Sequence, residues 1–199
     1  MTDGADGVAG TSPRPGAPRA RSDRDPQGGT GVGNIVSLDA DAAPERTLLA
    51  VDAGLRAGLA LYGADGRLRE YRSTNFGSVA RLKRGVYSVM ARLPQLTHLV
   101  VEGGGGGIAA PWLKEGRRRE LEVRQVQART WRELLLLPRT RRSGADAKEE
   151  ALALARRVVT WSGAAKPTSL RHDAAEAVLI GLWGVLQAGW LDDSPRWLS

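Results

Sequence analysis

Cysteine is absent from this 199-residue chain, and histidine occurs only twice. Without cysteine the protein forms no disulfide and no thiolate metal site, and such a composition is expected of a protein in a reducing cytoplasm. Long apolar runs are also lacking, since no stretch approaches the roughly 18 apolar residues that a membrane span needs. No apolar segment follows the first residues, so no signal peptide is predicted. Any metal site in this chain has to rely mainly on carboxylates.

Large apolar side chains are scarce in the first 46 residues, which are rich in glycine and proline. Such a segment cannot bury enough surface to offset the entropy lost on ordering, so residues 1–46 are predicted to be a disordered tail. Residues 47–191 are predicted to form a single domain with its own core. Residues 192–199 are predicted to be a short C-terminal tail.

Positive charge is concentrated in the predicted domain and its C-terminal tail. Residues 1–46 hold 5 arginines against 7 acids, a net of −2, whereas residues 47–199 hold 24 lysines and arginines against 15 acids, a net of +9. The candidate contacts to nucleic-acid phosphates are Arg117, Arg118, Arg119, Arg139, Arg141, Arg142 and Lys148. A basic surface of this kind favours a polyanionic partner, with a merely solvated surface as the alternative.

Hydrophobic patterns predict a mixed α/β domain. Strands are predicted at 47–53, 57–63, 67–73, 97–102 and 120–126. Helices are predicted at 78–92, 109–117, 129–137, 146–161 and 171–189. Three antiparallel strands followed by two strands added in parallel through crossover helices give a mixed five-stranded sheet flanked by helices.

Four acidic residues lie where the sequence predicts burial. Asp52 ends the apolar run of the first strand, and Glu102 ends the fourth strand. If those strands are parallel neighbours, both carboxylates emerge at the same edge of the sheet. Asp173 and Glu176 lie one turn apart near the start of a helix that is otherwise almost entirely apolar. Buried charges are costly unless they are compensated, so the four acids predict a divalent metal site.

The chemistry of these acids favours Mg²⁺ or Mn²⁺, because hard oxygen ligands suit these ions better than Zn²⁺. Four carboxylates are suited to a pair of ions about 3.5–4 Å apart, which activate water and stabilise the leaving oxygen of a phosphodiester. For any one acid, a helix cap, a turn residue or a surface charge is the alternative. His172 is a candidate general base or support for the ligands, and Lys148 a candidate phosphate contact. For both, an exposed helix residue is the alternative.

Four segments together resemble the RuvC family of Holliday junction resolvases in the RNase H-like superfamily. Residues 50–56, Ala-Val-Asp-Ala-Gly-Leu-Arg, resemble its Asp-Pro-Gly-Leu opening, with Ala53 where proline is usual. Residues 100–102 resemble its second acidic strand, and residues 143–148 its lysine-bearing segment. Residues 172–177 resemble its closing Asp-x-x-Asp helix, with glutamate in place of the last aspartate.

The resemblance implies a homodimeric, Mg²⁺-dependent endonuclease that cuts four-way DNA junctions symmetrically in recombination and repair. It also implies that Asp52, Glu102, Asp173 and Glu176 are the catalytic metal ligands. The chain departs from the family after Glu102. The segment there is short and begins with five glycines, whereas the family has a longer helical segment used for the dimer interface and for junction contact.

Three other functions fit parts of the pattern. An RNase H-like nuclease that processes ribosomal RNA precursors has a similar first-strand motif. A non-catalytic nucleic-acid-binding module on the same fold is also compatible with Glu176 in place of aspartate. A sugar-kinase or actin-like ATPase carries Asp and Gly in its first strand, but that architecture needs two such domains. The glycine run is not a P-loop, because no Lys-Ser/Thr pair follows it, and a flexible connector is predicted there instead.

Overall fold

A computed structural model of the chain describes residues 45–104, 107–136, 144–166 and 169–191, with Gly144 and Ala145 described only as helical. The predicted tails lie outside these residues, except for Glu45 and Arg46. The arginines at 139, 141 and 142, the centre of the glycine run and part of the lysine-bearing segment also lie outside them.

Five strands form one sheet in the order β3-β2-β1-β4-β5. They are β1 (Thr47–Asp52), β2 (Arg56–Gly63), β3 (Leu68–Asn75), β4 (Leu96–Glu102) and β5 (Glu122–Val126). The pairs β1–β2 and β2–β3 are antiparallel, whereas β1–β4 and β4–β5 are parallel. This arrangement confirms the predicted mixed sheet. The third strand was predicted at 67–73, which is too short at its C-terminal end, because the observed pairing of β3 with β2 continues to Asn75.

Five helices occupy the predicted positions. They are α1 (Val79–Ala91), α2 (Ala110–Arg118), α3 (Ala128–Leu135), α4 (Gly144–Ser162) and α5 (His172–Gln187). Helix α4 starts two residues before the predicted boundary at 146. Within the described part of the chain, no helix combines the length and apolar character needed to cross a membrane.

The two faces of the sheet are covered by different helices. Helices α1 and α2 pack on one face, and α3, α4 and α5 pack on the other. Strand β1 alternates between them: Leu49 and Val51 face α1 and α2, and Leu48 and Ala50 face α5. Asp52 follows Leu48 and Ala50 in this alternation, so its carboxylate is directed to the α5 face.

Helix α5 lies very close to the sheet because its contact face is made of small residues. A methyl group added at Gly181 would lie 2.2 Å from Cε2 of Tyr62, and one added at Gly184 would lie 2.9 Å from Cγ2 of Val100. The buried hydroxyl of Tyr62 donates a 2.6 Å hydrogen bond to the carbonyl of Val178. This close packing fixes the position of α5, including the two acids near its start.

Candidate metal and nucleic-acid site

The site begins with one row of residues that crosses four strands. Asp52 on β1 is in register with Glu102 on β4 and with Gly58 on β2, and Gly58 is in register with Ser73 on β3. Because side chains of directly paired residues project from the same face of a sheet, Asp52 and Glu102 share the α5 face. The two strands are parallel neighbours, as the argument from the sequence required.

Glycine at position 58 brings the start of α5 to this row. A Cβ atom at Gly58 would lie 1.8 Å from the carbonyl oxygen of Asp173, so only glycine lets the helix approach β2 this closely. The hydroxyl of Ser73 donates a short hydrogen bond to Oδ2 of Asp173. Asp173 is therefore held next to β2, the strand in which Gly58 pairs with Asp52. One turn further along α5, Glu176 is 8% exposed.

Helix α3 supplies hydrogen-bond donors to two of the four acids. The indole N–H of Trp131, which is fully buried, donates to Oε2 of Glu102 at 2.7 Å. The guanidinium of Arg132 forms a short ion pair with Oε1 of Glu176 through Nη2. His172 lies on the solvent side of the same acid, with Nε2 at 3.5 Å from Oε1 of Glu176. Two consecutive residues of α3 thus engage acids that come from two different elements.

Negative charge at the centre of the site is only partly compensated. Burial, followed by the like charges of Glu176, Glu102 and Asp173, raises the pKa of Asp52 to about 7, whereas Arg132 opposes the shift. Burial also raises the pKa of Glu102, against the effect of the indole hydrogen bond. A cation beyond Arg132 would relieve this repulsion.

The donor chemistry of the site fits Mg²⁺ or Mn²⁺, since all four acids offer hard oxygen ligands. The positions of the side chains, however, do not form a ready metal site. Among the described residues, no group of three or more histidine, aspartate or glutamate side chains is arranged so that it could hold a metal ion. Glu102, Asp173 and Glu176 are each engaged by a protein donor. Metal binding at this site therefore requires side-chain rearrangement.

Two of the three arginines at the end of α2 form contacts within the domain. Arg118 and Arg119 both pair with Glu115 at 2.7 Å, and the hydrogen bond from Arg118 is the largest of the effects that lower the pKa of Glu115 to about 2. Arg119 also donates to the carbonyl of Met90 on α1 at 3.0 Å. Arg117 is exposed. The role of these arginines as phosphate contacts stays a prediction.

Two further predicted residues are exposed on helices. Lys148 lies in the second turn of α4, and His172 is the first residue of α5. His172 contacts Glu176, and its role as a general base or as a support for the ligands stays a prediction.

Sequence reasoning missed Ser73, Trp131 and Arg132. Since β5 lies next to β4, the helix that follows β5 has to start close to Glu102, and this topology indicates that α3 contributes to the site. The pattern of the sequence does not say which of its side chains point inward. Ser73 carried no signal of its own, because its role depends on the register between β2 and β3.

Comparisons with known proteins were made by sequence and by structure. No protein-family model matches the sequence, and no curated protein matches it significantly. Solved structures do match. RuvC of Thermus thermophilus aligns at 19% identity over 71% of this chain and 94% of that chain, with a TM-score of 0.50. The structure of T. thermophilus RuvC in complex with Holliday junction substrate aligns at 17% identity over 72% and 94%, also with a TM-score of 0.50.

A viral enzyme gives a further match. The fowlpox virus Holliday junction resolvase aligns at 13% identity over 71% of this chain and 99% of that chain, with a TM-score of 0.56. At such identities the similarity concerns the fold, and it extends over nearly the whole of each matched structure. Together with the strand order and the five helices, these matches show that the chain has an RNase H-like fold of the RuvC type.

Proposed function

We propose that this protein is a metal-dependent endonuclease that hydrolyses phosphodiester bonds in nucleic acid. The observation that supports this most directly is the register of Asp52 with Glu102 at the ends of two adjacent parallel strands. Both carboxylates face the start of α5, which adds Asp173 and Glu176. Burial raises the pKa of both Asp52 and Glu102 at this end of the sheet, and divalent cations would compensate their charge.

The residues of the chain divide the work of such a site. A bound Mg²⁺ or Mn²⁺ pair would supply an activated water and charge stabilisation at the leaving oxygen. Asp52, whose charge is coupled to those of the other three acids, would be one of the residues that hold the ions. Trp131 holds Oε2 of Glu102 and Ser73 holds Oδ2 of Asp173, so both ligands would have to shift to bind the ions. His172, at the exposed edge of the site, would accept a proton from water.

The proposed substrate is branched DNA, specifically the four-way junction of recombination and repair. This step rests on similarity of fold to a RuvC whose structure contains a Holliday junction substrate. The net charge of +9 over residues 47–199 suits a polyanion of that size. Symmetrical cutting of a junction would require a homodimer, which is part of the proposal. Structured RNA, such as a ribosomal RNA precursor, is the alternative substrate.

A cleavage panel tests this function. Four-way junction, flap, duplex, RNA–DNA hybrid and structured RNA are each incubated with the full chain in Mg²⁺, Mn²⁺ or EDTA. We expect metal-dependent cutting, strongest on the junction, and loss of cutting with retained binding in Asp52→Asn. Preferential cutting of the structured RNA would change the proposed substrate from DNA to RNA. The proposed metal-dependent hydrolysis would stand. Full activity of Asp52→Asn would remove Asp52 from the mechanism.

A second candidate function is a non-catalytic nucleic-acid-binding module. It is favoured by the way protein donors already satisfy Glu102, Asp173 and Glu176, and by the lack of a ready metal-binding group among the described residues. Binding of a junction without cutting in either metal, across a range of pH, would support this alternative over the nuclease.

A further inference from the structure

Arg132 is a cation of the protein that already pairs with one of the four acids. Its guanidinium forms the short ion pair with Oε1 of Glu176, and its charge also opposes the rise in pKa that burial causes at Asp52 and Glu102. The side chain stacks over the indole of Trp131 at 5.0 Å, which helps to hold it in this place. Arg132 is therefore a cation supplied by the protein itself that acts on three of the four acids.

The ion pair between Arg132 and Glu176 is suited to replacement of the guanidinium by another cation. Its side chain is 33% exposed, so it has a path to solvent, whereas the side chain of Glu176 is 11% exposed and remains inside. A guanidinium that leaves for water recovers its hydration, but a carboxylate left behind in a buried place needs another cation. A divalent ion on Glu176 would lie beside the guanidinium charge, so the two cations would repel each other and compete for this acid.

We propose that Arg132 is an exchangeable counter-cation, which neutralises Glu176 until a divalent ion replaces it there. This inference rests on the proposed function, since it assumes that the four acids bind metal. It follows that metal affinity is set by competition with Arg132, and that the metal-free protein is protected from the repulsion of its own acids. Arg132 is a positioning residue for Glu176 in this scheme.

Mn²⁺ binding to the full chain, measured by calorimetry and by electron paramagnetic resonance without nucleic acid, tests the exchange. The variant is Arg132→Gln, and the matched control is Arg129→Gln. Arg129 lies on the same helix, has an 84% exposed side chain and pairs with Glu133 rather than with the four acids. We expect Arg132→Gln to bind Mn²⁺ about tenfold more tightly than the wild type, equivalent to about 1.4 kcal/mol. The control should bind like the wild type.

Thermal stability gives a second measurement. In EDTA, Arg132→Gln should melt several degrees below the wild type, because Glu176 loses its partner, and saturating Mn²⁺ should close most of that gap. Arg132→Lys keeps the charge but not the forked geometry, so its gain in affinity should be smaller. It provides the same comparison if the glutamine variant does not fold.

The outcomes separate this inference from the proposed function. Equal, measurable affinities in wild type and Arg132→Gln would overturn the exchange and leave the metal-dependent nuclease intact. Binding by the variant alone would overturn exchange in favour of a permanent replacement of the metal by Arg132. Absence of binding in both proteins would overturn the metal site itself, and the exchange with it.

Discussion

The indole of Trp131 donates to Glu102 at 2.7 Å, while Trp112, in the core on the other face of the sheet, has a buried indole N–H without a hydrogen-bond partner. These two tryptophans are equally buried, so they form a natural pair for comparison. The difference between them is the acid that one of them holds.

Replacement of Trp131 by phenylalanine should therefore cost more than the same change at Trp112. Both variants lose indole packing, but Trp131→Phe also loses a hydrogen bond to a carboxylate, worth about 1.5–3 kcal/mol. Chemical denaturation measures the difference. We also expect Trp131→Phe to weaken Mn²⁺ binding, because Glu102 is no longer oriented, while Trp112→Phe binds normally. Equal losses of stability and affinity in both variants would contradict this role for the indole.

The raised pKa of Asp52 predicts how the metal-free protein responds to pH. Its pKa of about 7 lies above the usual 3.8, so between about pH 4 and 7 the native state retains a proton that the unfolded chain has released. The free energy of unfolding should therefore fall as pH rises through this window, by at most about 1.4 kcal/mol per pH unit from this group.

Asp52→Asn should remove that dependence. In EDTA the variant should melt above the wild type at pH 8 and close to it at pH 4, because asparagine stays neutral throughout. The control is Asp65→Asn, at an exposed turn residue paired with Arg69. Parallel pH profiles for wild type and Asp52→Asn would show that Asp52 is not under the repulsion inferred here.

Gly58 should be intolerant of even a methyl group. In Gly58→Ala the new Cβ would lie 1.8 Å from the carbonyl of Asp173, so the start of α5 has to move off β2. We expect a loss of stability of at least about 2 kcal/mol, together with weaker metal binding and loss of cleavage. Gly104→Ala is the control, because a Cβ there meets nothing within 4 Å. Normal metal binding by Gly58→Ala would mean that this close approach does not position Asp173.

The arginines at the end of α2 should differ in role. Arg119→Gln should lower the thermal midpoint, since it removes contacts with Glu115 and with Met90, whereas exposed Arg117→Gln should leave the midpoint unchanged. Arg117→Gln should instead weaken junction binding and reduce the slope of log affinity against log salt by about 0.9 if one phosphate contact is lost. Anisotropy titrations at several salt concentrations measure this. An unchanged slope would identify Arg117 as solvated surface only.

The sheet and the helices could be predicted because each strand and helix has a strong pattern of its own. The apolar run before Asp52 and the one before Glu102 each predict a strand that ends in an acid. The near-continuous apolar character of α5 predicts its burial. The start of α4 was placed two residues late because Gly144 and Ala145 carry little hydrophobic signal.

The contacts within the site could not be predicted, because they depend on packing between distant elements. That Ser73 reaches Asp173 depends on the register of β3 and on the absence of a side chain at Gly58. The pairing of Arg132 with Glu176 depends on which side of α3 faces the start of α5. Read in sequence, Arg132 is one of many arginines in a basic chain.

Helix α5 has a consequence for when the site comes into being during synthesis. Tyr62 and Val178, which join β2 to α5, lie 116 residues apart in the chain. A ribosome has therefore made all five strands before it makes the helix that covers their inner face and carries two of the four acids. Until α5 is made, the chain has only Asp52 and Glu102 from this set, and the face of the sheet shared with α3 and α4 is only partly covered. The four acids can therefore come together only after nearly the whole domain has been synthesised.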